Sequence, residues 1–123
     1  MSGVVIVVVD DMFFASKIRA VAEAMGVPIN FPRNKEALID KAREARLILV
    51  DLHNQKLDAM ALAAELKANN RLARIPLFGF CSHVEVELQR SAIAAGFDKV
   101  VPRSYFTREL PTILNTDNAD DAD

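Results

Sequence analysis

Six consecutive apolar residues, Val4 through Val9 (VVIVVV), run directly into two acids, Asp10 and Asp11. All six are β-branched, which favours an extended strand. None alternates with a polar residue, so a strand here must be covered on both faces. Two further runs have the same character, Leu47 to Val50 (LILV) and Leu77 to Phe80 (LFGF), and weaker strands are predicted at residues 28–31 and 99–101. Amphipathic stretches separate them. Phe14, Ile18, Val21, Ala22 and Met25 recur at helical spacing, and Gly26 stops that helix. Residues 36–45 predict a second helix, with Leu38, Ile39 and Ala42 inward. Residues 58–69 predict a third, with Met60, Ala63, Leu66 and Lys67 on adjoining faces. Ser82-His83-Val84-Glu85 has the form of a capping box and opens a fourth helix that ends near Gly96. A fifth is expected over residues 106–114, kinked or stopped early by Pro111.

Strand and helix thus alternate five times. That order predicts an α/β fold, a doubly wound five-stranded parallel sheet with helices on both faces. Right-handed crossovers leave few topologies, and the flavodoxin-like winding is the commonest at this size. The 123 residues fit one domain, expected over residues 1–114, followed by a polar, acidic tail over 115–123 that is expected to fray. A net charge of −2, with Lys and Arg scattered, gives no electrostatic footprint for nucleic acid. The first apolar run is too short for a secretory leader or a membrane span and lacks a basic flank. The single cysteine, Cys81, excludes an internal disulfide framework or a cysteine-rich metal site and agrees with a reducing, cytoplasmic setting.

Ligands of such sheets bind outside the carboxyl ends of the strands. Asp10 and Asp11 end the first strand and Asp51 ends the third, so three carboxylates are expected at one edge. Like charges about 4 Å apart repel by roughly 4 kcal/mol at an effective dielectric of 20. Such a cluster takes up a proton, spreads apart or binds a cation. Oxygen-only ligands select a hard ion, Mg²⁺ above all. A cation site and a purely structural cluster both remain open, since single carboxylates at strand ends are often helix caps. No catalytic triad is visible, and no Gly-rich phosphate loop follows the first strand, so no enzyme activity is expected.

With these pieces in place, the chain resembles the receiver domain of bacterial response regulators. The segments VVIVVVDD, LILVDL, IPLFGFCS, AAGFDKVV and PRSYF carry the resemblance. Cys81, Gly96 and Arg103 follow Asp51 by 30, 45 and 52 positions. Receivers carry a Thr or Ser, an Ala-Gly pair and a lysine at those distances from the phosphoacceptor. The resemblance implies that Asp51 accepts a phosphoryl group, with Mg²⁺ held by Asp10, Asp11, Asp51 and the backbone carbonyl of His53. It also implies a phosphoryl pocket and switch at Cys81, Ser82, Val100 and Arg103. The chain is further similar to a group of single-domain receiver-like proteins with an Asp-x-Phe-Phe start. Their other shared segments match Gly79-Phe80-Cys81-Ser82-His83 and Arg103-Ser104-Tyr105-Phe106.

The departures are specific. Cys81 stands for the hydroxyl, Arg103 for the lysine, and Val100 for the aromatic switch residue. A thiol beside Arg103 would have a lowered pKa; a lone cysteine at a strand end is more often a small packed hydrophobe. Ser82 either replaces the missing hydroxyl or caps the fourth helix. His83 either contacts the pocket or is a solvated first-turn residue. Arg103 either grips a phosphoryl group bidentately or forms a structural ion pair with Asp51 or Asp11. Asp51-Leu52-His53 begins a cobalamin-type D-x-H-x-x-G motif, but Lys56 stands where the Gly is required. The expected function is therefore an atypical stand-alone receiver of two-component signalling. Its output would be docking through the fourth helix, fifth strand and fifth helix onto a histidine kinase, a downstream protein or a second copy. The alternative is a phosphorylation-independent pseudo-receiver.

Overall fold

The structure, a computed structural model, describes residues 3–82 and 85–116. Its elements follow in the order β1 (Val4–Val8), α1 (Met12–Met25), β2 (Ile29–Asn30), α2 (Lys35–Ala42), β3 (Ala45–Asp51), α3 (Ala59–Ala68), β4 (Leu77–Cys81), α4 (Val86–Ala95), β5 (Lys99–Pro102), α5 (Arg103–Arg108) and α6 (Leu110–Leu114). The sheet order is β2-β1-β3-β4-β5, and every pairing is parallel. This is the doubly wound sheet read from the sequence.

The non-alternating strands are explained by two separate cores. Val4, Ile6 and Val8 of β1 join Ile48 and Val50 of β3 on one side, under Leu38 of α2, Leu62 and Leu66 of α3 and Ala92 of α4. Val5, Val7 and Val9 face the other way with Leu47 and Leu49, against Phe14 and Ile18 of α1 and Phe106, Leu110 and Leu114 of α5 and α6. Successive side chains of a strand point to opposite faces, so both parities must be apolar when both faces are covered. Fully burying a Val or Leu is worth about 1.5–3 kcal/mol.

Several boundaries differ from the sequence reading. The predicted second helix ends at Ala42, because Ala45 is recruited into β3 opposite Val4. The capping box does not cap α4. That helix begins at Val86 with Glu85 as N-cap and no side-chain hydrogen bond. The Glu85 N–H instead donates to the Ser82 carbonyl at 3.1 Å, and its carboxylate pairs with His53. The fifth helix is two helices broken at Glu109, and it starts earlier, at Arg103. Pro111 sits in the first turn of α6, where its missing N–H has no partner to lose, so it restarts the helix rather than ending it. Asn115 and Thr116 still donate backbone hydrogen bonds to Thr112 and Ile113. The tail beyond Thr116, and His83, lie outside the described residues.

Gly96 closes α4 at φ +129, and a Cβ there would lie 2.8 Å from Cγ of Lys67. Lys67 is itself fixed, donating to the Ala73 carbonyl at 3.1 Å and to Asp98 at 3.0 Å. Gly96→Ala therefore combines a backbone conformation that L-residues avoid with a clash, and is expected to cost about 1–3 kcal/mol. Urea unfolding checks this; a loss under about 0.5 kcal/mol would show that the turn relaxes freely.

Candidate functional site

The carboxyl edge of the sheet gathers Asp10 and Asp11 after β1, Asp51 at the end of β3, Cys81 at the end of β4 and Arg103 after β5. The three acids reach this edge, as expected, but each has a different local partner. Asp11 is the N-cap of α1, with Oδ1 accepting from the N–H of Phe13 at 2.9 Å and of Phe14 at 3.2 Å. The Oδ2 of Asp10 accepts from the backbone N–H of Gln55 at 2.6 Å, tying the loop after β3 to the end of β1.

Asp51 is the buried member, with its side chain 6% exposed. Its Oδ2 lies 3.0 Å from Nη2 of Arg103, and its Oδ1 accepts from the His53 N–H at 2.9 Å. Arg103 thus forms an ion pair with Asp51. The guanidinium is also held from the side, 4.7 Å from the ring centre of Phe14 and 5.7 Å from that of Phe80. Those rings and Phe106 form one cluster, with Phe80 stacked on Phe106 at 4.1 Å and Phe14 edge-on to Phe80 at 5.4 Å. A cation over aromatic faces is stabilised by the ring quadrupole.

Asn54, which the sequence reading passed over, organises the loop. Its backbone N–H and its Nδ2 both donate to the Asp51 carbonyl, while Oδ1 accepts from the N–H of Lys56 and Leu57. The His53 carbonyl, expected as a metal ligand, accepts from Nε2 of Gln55 at 3.4 Å. The His53 ring turns to Glu85, with Nε2 and Oε2 3.3 Å apart. An Asn three residues after an acid at a strand end is a loop-stapling signal that could have been read.

Among the described residues, no three carboxylate, imidazole or thiol groups are gathered as the ligand set of a cation. The donors fit such an ion poorly, since Asp11 serves the α1 turn, Asp10 serves Gln55, and Asp51 is neutralised by Arg103.

Cys81 is fully buried, and burial pushes its thiol up from the ordinary value of 9.0. A hydrogen bond to Gln89 opposes this in part, while the charges of Glu85 and Asp51 add to it. Burial thus agrees with the packed-hydrophobe reading of Cys81, for desolvation disfavours the thiolate. The native state keeps its proton to higher pH than the unfolded chain does. The stability linked to this group is therefore fully present below the unfolded pKa and lost as pH rises through the folded one. Native Cys81 is expected to resist iodoacetamide at pH 8 and to react once urea unfolds the chain. Equal labelling rates in both states would refute this.

Ser82 is half-buried at the end of β4, and Val100 lies in β5 opposite Gly79, packed on the α3–α4 side of the sheet. Exposed apolar side chains are few on the elements expected to dock. Phe106 and Leu110 are only 1% exposed and belong to the core, whereas Val86 and Ile93 of α4 and Tyr105 of α5 are exposed. Met12 and Phe13, in the first turn of α1, are exposed as well, Phe13 at 91%. The sequence reading assigned neither a surface role; adjacent positions on a helix diverge by about 100°, so only one of Phe13 and Phe14 can face the sheet.

No family model and no curated protein matches the chain. Solved structures do. A response regulator from Hahella chejuensis superposes with a TM-score of 0.78 at 20% identity, over 92% of each chain. The receiver domain of a Pseudomonas aeruginosa sensor histidine kinase, which has a magnesium ion coordinated in its active-site cleft, gives 0.76 at 19% identity over 93% of this chain and 95% of that one. The chemotaxis response regulator CheY4 of Vibrio cholerae gives 0.76 at 14% identity over 93% and 97%. What is shared at these identities is architecture: the chain has the receiver fold of response regulators.

Proposed function

We propose that this chain is a receiver-fold signalling module that acts by docking onto another protein, and that its unmodified form is the docking form. The observation that carries this reading is the Asp51–Arg103 pair at 3.0 Å, with the guanidinium packed against Phe14 and Phe80. A phosphoryl acceptor must present a carboxylate oxygen to its donor. Here one oxygen is held by a buttressed cation and the other by the His53 N–H. A ligand shifts a conformational equilibrium only by its differential affinity for the two states. Val100 offers no ring to swing, and Cys81 is a weak donor toward a phosphoryl oxygen. Modification of Asp51 therefore has little to grip.

Docking is assigned to the face of α4, β5 and α5, where Val86 and Ile93 are each 50% exposed and Tyr105 is 38% exposed. Its occupants are a histidine kinase or a downstream protein with matching apolar residues, or a second copy of the chain. The setting is cytoplasmic; no helix among the described residues is long and apolar enough to cross a membrane.

The second reading is a working phosphoacceptor, in which a phosphohistidine donor transfers to Asp51 with Mg²⁺. Its support is the placement of a buried aspartate at the end of β3 with a cation beside it. It requires Asp10 and Asp11 to leave their present partners.

Incubation with acetyl phosphate and Mg²⁺, read by intact mass, separates the two. The expected outcome is no phosphoryl adduct, together with melting temperatures that agree between millimolar Mg²⁺ and chelator. An adduct that disappears in Asp51→Asn would overturn the proposal and establish the second reading.

A further inference from the structure

Helix α1 has two unlike faces. Phe14, Ile18 and Ala22 are buried on the inner one, against the sheet. The outer one is turned to solvent and begins with Phe13, 91% exposed, beside Met12 at 78%. Ala20 lies seven positions after Phe13, so at about 100° per residue the two nearly eclipse one another, opposite the buried face. Ser16 and Ala24 stand four positions to either side of Ala20, and all three are exposed. The outer face is therefore an aromatic ridge followed by a shallow track of small side chains. Two charges border the track, Lys17 three positions before Ala20 and Glu23 three positions after it. Neither forms an ion pair among the described residues. Arg19, the other cation of the helix, is drawn aside over the Phe31 ring, 4.7 Å from its centre.

We propose that a second copy of this chain covers this face, with α1 packed antiparallel on α1 of the copy about a two-fold axis at Ala20. The charge order selects both the occupant and the direction. A two-fold contact uses one patch on both chains, so the patch must complement itself. Antiparallel pairing about Ala20 sets Lys17 of each copy level with Glu23 of the other, which makes two attractive pairs. Parallel pairing in register would set Lys17 against Lys17 and Glu23 against Glu23, and like charges facing one another oppose assembly. The small side chains at 16, 20 and 24 let the helices approach closely, since interaxial distance follows the side chains at the contact. Each Phe13 ring then projects past the track and covers Ala24 of the other copy, which removes both rings from water. This face shares no element with α4, β5 and α5, so the inference stands whether or not those elements dock. A dimer built this way carries two copies of that second face, and partners with repeated sites are held with avidity.

Sedimentation velocity of the full chain over a range of concentrations is the test. A face of this extent is smaller than a standard interface, so the expected result is passage from monomer to dimer at about 10–500 μM. Phe13→Ala is expected to raise the dissociation constant about thirtyfold, as loss of a central aromatic does. Lys17→Glu alone and Glu23→Lys alone are each expected to raise it about tenfold, through repulsion. The chain carrying both substitutions has its charges exchanged and should return to within about threefold of the original constant. An equal mixture of the two single-charge variants should associate more tightly than either variant alone. These positions are exposed, and Ala, Glu and Lys are good helix formers, so all four chains are expected to fold. Ile93→Ser, on α4, should leave the constant unchanged. A chain that stays monomeric at about 1 mM, where such an interface would be mostly filled, overturns the proposal. So does an exchanged pair that fails to restore association. A dimer lost with Ile93→Ser and kept with Phe13→Ala would assign the contact to α4 and equally overturn it.

Discussion

Phe80→Ala is expected to lower the unfolding free energy by about 3–5 kcal/mol, the range for deleting a buried aromatic ring. Phe80 is fully buried in β4, stacked on Phe106 and edge-on to Phe14, so its loss opens a cavity bounded by two rings from separate helices. Neither helix can close that gap without shifting against the sheet, which places the cost at the upper part of the range. The effect should extend to the site, because the Phe80 ring also lies beneath the Arg103 guanidinium. Urea unfolding followed by circular dichroism measures the loss, and Phe80→Leu, which refills part of the volume, should recover a good fraction of it. A loss under 1 kcal/mol would show that the three rings are not a structural unit.

Arg103→Ala has the second largest expected effect. It removes the guanidinium from a carboxylate whose side chain is 6% exposed, leaving Asp51 with the His53 N–H. Stripping one member from a fully buried pair costs about 3–5 kcal/mol. Arg103 is 38% exposed at its side chain, so water reaches this pair, and about 2 kcal/mol is the expected loss. The diagnostic is the double variant. Asp51→Asn in the Arg103→Ala background removes the stranded charge and should restore most of the loss, although Asp51→Asn alone destabilises. Additive losses would mean that the two groups do not interact. Arg103→Lys should recover only part, since an ammonium keeps the charge but not the planar face laid over Phe14.

The strands were legible because physics leaves little choice for them. A run such as Val4 to Val9 has no wet face in either parity, and the two cores found on its two sides are the direct consequence. Gly26 was equally legible as a helix stop, for its φ of 73 is one that glycine adopts without strain. Where the reading failed, a residue distant in sequence had taken the group on which the local signal relied. Glu85 had the spacing of a capping box, but His53, from the loop after β3, holds its carboxylate. The acids at the sheet edge were correctly placed, yet their partners were not visible, since Gln55 lies 45 positions from Asp10 and Arg103 lies 52 from Asp51. Phe106 and Leu110 stand four positions apart, a spacing that puts both on one helical face, and both are buried. They join the core on the α1 side of the sheet from either side of the break at Glu109.

The two outer strands have a consequence for behaviour in crowded solution. An exposed edge is a template on which another chain can add a strand, the first step toward aggregation. β2 presents just Ile29 and Asn30, flanked by Pro28 and Pro32, and β5 ends in Pro102, which has no N–H to offer. Both margins are therefore short, two residues in β2 and four in β5. Edge-to-edge addition of further strands is thereby disfavoured at both margins of the sheet.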